Sequence, residues 1–208
     1  MKPKFSTLII LTIACAVLLA PFVFSPLYLD ALRDRSFDLH QFSRGEIYKQ
    51  GTGFASLFLV GVEMLLTVRK RNILPGKWKI PGQVMIHRSI HIFTGVALVA
   101  FVLIHTIGSS GMNFNAILLW SFFGVTLTAL MGAVVETGVL ESPKKSFDSR
   151  KTIFFFRKIE FAEGNVYAIG KGTLIRAMRA VWLPSHIFLV SVFGMLLGLH
   201  IFLVYYYQ

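Results

Sequence analysis

The stretch Leu183 to Tyr207, LPSHIFLVSVFGMLLGLHIFLVYYY, carries no charged side chain and holds two histidines, His186 and His200. At about 1.5 Å per residue, a helix of this length crosses the roughly 30 Å hydrocarbon layer of a bilayer. The fourteen-residue interval between the histidines recurs upstream, inside another apolar run, between His91 and His105. A helix advances about 100° per residue, so fourteen residues return a side chain to within roughly 40° of the same face, about 21 Å further along the axis. Each helix would therefore carry one histidine near either end of the hydrocarbon layer.

Working outward, composition agrees with a membrane solvent. Of 208 residues, 55% are hydrophobic and only 15% charged, against about a quarter charged in an ordinary soluble domain. The mean hydropathy is +0.67. The formal net charge of +11 could suit nucleic acid, but the basic residues gather at the ends of apolar runs, where they serve orientation and lipid headgroup contacts. Nucleic-acid binding is set aside on that ground. The single cysteine, Cys15, excludes a disulfide framework, covalent haem attachment through Cys-x-x-Cys-His, and an iron–sulfur cluster within this chain.

The expected fold is an all-α membrane protein of five transmembrane helices, at about 5–24, 53–68, 84–107, 115–139 and 183–207, forming a single domain over 1–208. The first apolar run follows a basic start but exceeds the usual signal-peptide core, so it is read as a membrane helix. Leu27 to Gln50 reads as a polar loop of mixed charge. Pro75-Gly76 and Pro81-Gly82 mark a turn-rich basic connection. The longest non-spanning segment, 141–181, is basic; it suggests a small hairpin across Lys158 to Ile169 and a surface helix from Thr173 to Trp182. Lys2 and Lys4, the 69–79 cluster and the 141–181 loop fall on one side of a five-span arrangement. That side is cytoplasmic by the positive-inside rule, with the N-terminus inside and the C-terminus outside. His91 and His186 then share the inner level, and His105 and His200 the outer.

A lone histidine in an apolar helix commonly serves as a hydrogen-bonded interior residue. Four that agree in spacing, depth and direction point instead to two bis-histidine b-type haems, because ligation by neutral imidazole answers the cost of an ionisable group in lipid. His87, four residues before His91, is the alternative inner ligand; His91 reproduces the 186–200 spacing and lies deeper. Gly95, Gly194 and Gly198 could make room for a macrocycle or simply allow close helix packing. Arg88, Arg176 and Arg179 are candidate propionate partners, with equal claims as lipid-facing charges. Ser89, Ser185 or helix carbonyls are candidate acceptors for the second imidazole nitrogen. Glu63, Glu136, His87 and, in the polar segment, His40 are candidates for a quinone or proton site, or for local hydrogen bonding.

Two His-x13-His helices, one helix apart in sequence, resemble the di-haem cytochrome b of the quinol-oxidising bc complexes and the transmembrane domain of ferric reductases and NADPH oxidases. The resemblance covers helices two to five, within which four would form the haem-binding bundle beside the N-terminal helix. It implies that His91, His105, His186 and His200 ligate two haem irons. The chain departs from the bc pattern in lacking a Pro-Glu-Trp-Tyr sequence, and from the oxidases in carrying no flavin or nicotinamide segment. The implied activity is transmembrane electron transfer between a quinone pool and a peripheral iron–sulfur, flavin or c-type cytochrome subunit, in a bacterial inner membrane. A stand-alone reductase of ferric or other acceptors, and a structural subunit without haem, are the other readings.

Overall fold

The computed structural model describes residues 3–71, 83–109, 113–148 and 168–206. The described chain is helical throughout, apart from two short strands. In order it runs α1 (Phe5–Val23), α2 (Ser25–Arg35), α3 (Phe37–Arg44), α4 (Glu46–Arg71), α5 (Val84–Thr106), α6 (Phe114–Glu141), β1 (Ser146–Asp148), β2 (Ala168–Gly170) and α7 (Lys171–Tyr206). Among the described residues, α1, α5, α6 and α7 are long and apolar enough to cross a membrane. The protein is an integral membrane protein on that basis. Two compact units divide the chain, Met1–Trp120 and Ser121–Gln208.

Within the first unit, α4 and α5 pack antiparallel: Tyr48 and Lys49 meet the end of α5 at Ile104 and His105, while Glu63 meets its beginning at His91. Helix α5 ends in a left-handed turn, with Ile107 at φ 56° and Gly108 at φ 67°. The Gly108 N–H bonds the Leu103 carbonyl at 3.2 Å, the long-range bond that closes such a helix end. Tyr28 donates to the Ile107 carbonyl at 2.5 Å, and a Cβ on Gly108 would collide with that phenol. Glycine is thus required both by φ and by space. Burial pushes the Tyr28 phenol above its ordinary pKa.

Within the second unit, the Ser121–Glu141 part of α6 lies antiparallel to α7. Contacts step regularly along the two helices: Glu136 with Arg179, Gly132 with Trp182, Thr128 with His186, Gly124 with Leu189 and Phe122 with Phe193. A Cβ on Gly132 would lie 2.6 Å from the Trp182 ring, so glycine there is what seats the indole against α6. Lys171 closes the end of α6 by donating to the carbonyls of Leu140 (2.6 Å) and Ser142 (2.9 Å), where a cation also favours the helix dipole.

Three sequence expectations change. The Leu27 to Gln50 segment is largely helical (α2, α3 and the start of α4), not a loop. The expected surface helix and the last span are one 36-residue helix that continues through Pro184. The partner of Ala168–Gly170 is Ser146–Asp148, antiparallel, with Phe147 opposite Ile169. The expected hairpin strand at Lys158 to Ala162 lies outside the described residues.

Candidate functional site

The four candidate ligands divide between the units, His91 and His105 on α5 and His186 and His200 on α7. All four are half-buried.

At the end of α5, the His105 Nδ1 lies 3.0 Å from the Thr52 hydroxyl of α4. That hydroxyl is already 2.7 Å from the Tyr48 carbonyl, to which it donates. A threonine has one hydroxyl proton; with it donated to Tyr48, Thr52 accepts from Nδ1 of His105 and Nε2 is the unprotonated nitrogen of the neutral ring. Gly53 supplies clearance, since a Cβ there would come within 3.3 Å of His105 Cε1. The last carbonyls of α5 are capped from α4, by Tyr48 to Ile104 at 2.9 Å and Lys49 to His105 at 2.5 Å.

His186 repeats the device in the second unit. Its Nδ1 lies 3.3 Å from the Thr128 hydroxyl, which donates to the Gly124 carbonyl at 2.7 Å. With that proton on the Gly124 carbonyl, Thr128 accepts from Nδ1 of His186. The Trp182 ring stands 6.2 Å from the imidazole, tilted.

His91 has a stronger partner. Its Nδ1 is 2.5 Å from Glu63 Oε2, a carboxylate only 11% exposed, reaching across from α4. Gly95 lies beside this pair, where a Cβ would meet the Glu63 carboxylate at 3.9 Å. Three ligand candidates therefore each bring Nδ1 close to a side-chain oxygen of a neighbouring helix. This arrangement orients histidines that bind a metal.

The remaining candidates fall elsewhere. His87 places Nδ1 3.0 Å from the carbonyl of Gln83 in its own first turn, and Arg88 follows it on α5, half-buried. Arg179 and Glu136 bond one another: Nη2 to Oε1 at 2.6 Å and Nε to Oε2 at 3.2 Å, with the carboxylate 2% exposed. Arg176 bonds Thr173. A Cβ on Gly194 or Gly198 would meet nothing within 4 Å. His40 is on α3, half-buried, and its Nδ1 has no hydrogen-bond partner among the described residues. The Ser89 and Ser185 hydroxyls each donate to their own helix, at Met85 and Val181.

Thr52 and Thr128 are the site residues that sequence reasoning missed. The available signal was a hydroxyl within an apolar helix, which nothing in the spacing tied to a particular histidine. Among the described residues, no group of three or more His, Cys, Asp and Glu could hold a bare metal ion. A haem iron asks the protein for only two axial ligands, so the two tests differ. No family model matches the chain, and neither the curated proteins nor the solved structures contain a match.

Proposed function

We propose that this chain is a di-haem b-type cytochrome that moves electrons across the membrane, with α4 as a fifth span. His91 and His186 would hold an inner haem, and His105 and His200 an outer one; this pairing rests on the equal sequence spacing and the sidedness of the basic segments. The observation that carries the reading is the repeated approach of Nδ1 to an oxygen of Glu63, Thr52 or Thr128, which orients three of the four histidines from a neighbouring helix. Bound haem would supply one-electron redox chemistry, and the protein would fix ligation, burial and hydrogen bonding.

The same bonds favour His91 over His87 as ligand, because Glu63 holds its ring from a second helix while His87 is tied to its own turn. Gly194 and Gly198, open above the backbone, are consistent with a flat group lying against α7. The N-terminus would be cytoplasmic and the membrane a bacterial inner membrane. Electrons would pass between a quinone pool and a peripheral redox subunit, with the 141–181 segment as the docking surface. The Glu136 carboxylate is occupied by Arg179, so Glu63 is the better placed acidic candidate near a cofactor.

A quinol test separates this from a stand-alone reductase. In proteoliposomes, a short-chain quinol is expected to reduce the haems, giving the reduced b-type absorption bands within a mixing experiment. Reduction by dithionite alone, with prompt reoxidation by ferric chelate, would instead favour an acceptor reductase.

A further inference from the structure

The imidazole partners are not equivalent. His105 and His186 each face a threonine hydroxyl, at 3.0 and 3.3 Å, whereas His91 faces the Glu63 carboxylate at 2.5 Å. A neutral hydroxyl whose proton is committed to a carbonyl is a modest acceptor. A carboxylate is a charged group, and at 2.5 Å from Nδ1 it places negative charge beside one ligand, which favours ferric over ferrous iron. Glu63 is mostly buried, and its second oxygen, Oε1, has no hydrogen-bond partner among the described residues.

We infer that Glu63 is a potential-setting residue, acting through His91 to hold the haem ligated by His91 below the haem ligated by His105. The inference rests on the proposed di-haem function and extends it to a direction. An electron delivered to the chain settles on the His105 side, so the downhill path runs from the His91 level to the His105 level.

The test is a spectroelectrochemical titration of the purified, haem-loaded full chain and of Glu63→Gln, which keeps the side-chain shape and removes the charge. The native protein is expected to titrate in two separate steps. Glu63→Gln should raise the lower midpoint by at least a tenfold change in the reduction equilibrium, about 59 mV for one electron, and leave the upper one in place. Thr52→Asp is the reciprocal variant and should lower the upper midpoint, which keeps the inference testable if Glu63→Gln assembles poorly. Two bound haems with midpoints unmoved by Glu63→Gln, or moved equally, would overturn the role of Glu63 while leaving the cytochrome intact. A chain with no haem would overturn both.

Discussion

His105→Ala is expected to cut the haem bound per chain by about half, with the surviving haem keeping its bis-histidine spectrum. His105 sits where α5 ends, and its position is held three ways: the left-handed turn at Ile107 and Gly108, the Tyr48 and Lys49 bonds to the last carbonyls, and Thr52 on the ring itself. The milder variant Thr52→Val keeps the ligand but frees the ring; loss of such an outer partner typically costs about 10–100-fold in metal affinity. Pyridine haemochrome quantification against protein mass reads both effects. The matched pair His91→Ala and His87→Ala applies the same measurement at the other end of α5. Loss of a haem in the first and retention in the second is the expected pattern; the reverse would transfer the ligand role to His87.

Arg179→Ala should destabilise the second unit more than any other single charge removal in it. Glu136 is 2% exposed and accepts two bonds from one guanidinium. Removing the partner takes both of these bonds from a carboxylate inside the protein, and breaking a buried pair from one side costs about 3–5 kcal/mol. Arg179 is itself 49% exposed, which argues for the lower end, about 3 kcal/mol. Thermal unfolding in detergent, followed by tryptophan fluorescence, should show a large fall in midpoint for Arg179→Ala. The double variant with Glu136→Gln should recover most of it, since no charge is then left unpaired. Equal instability in single and double variants would mean that the arginine stem, rather than the charge pair, supports this contact.

Hydropathy made the long helices legible, because lipid solvation demands continuous apolar runs and four of the expected spans coincide with α1, α5, α6 and α7. It failed at Leu27 to Gln50. The charges there looked like a loop, yet Arg33 lies 3.6 Å from Asp30, one turn away, and Gln50 bonds Glu46 at 2.7 Å. Such pairs at three- and four-residue spacing support a helix without any apolar stripe. The last helix also departs from the expectation, at Pro184. A proline forfeits one backbone bond, and a membrane helix tolerates that loss, so α7 continues from Lys171 to Tyr206 where the sequence suggested two pieces.

The candidate site divides similarly. Histidine spacing is a one-dimensional quantity and can be read from the chain. The partners of those histidines depend on which face of α4 meets α5 and which face of α6 meets α7, and this is fixed by packing. Hence Glu63 drew notice only as an acid in an apolar helix, and Thr52 and Thr128 were overlooked.

The most direct test of the central claim is the dithionite-reduced minus oxidised absorption spectrum of the purified protein, quantified as pyridine haemochrome. Two b-type haems per chain is the predicted result. A purified, folded chain that binds no haem even when haem is supplied would contradict it.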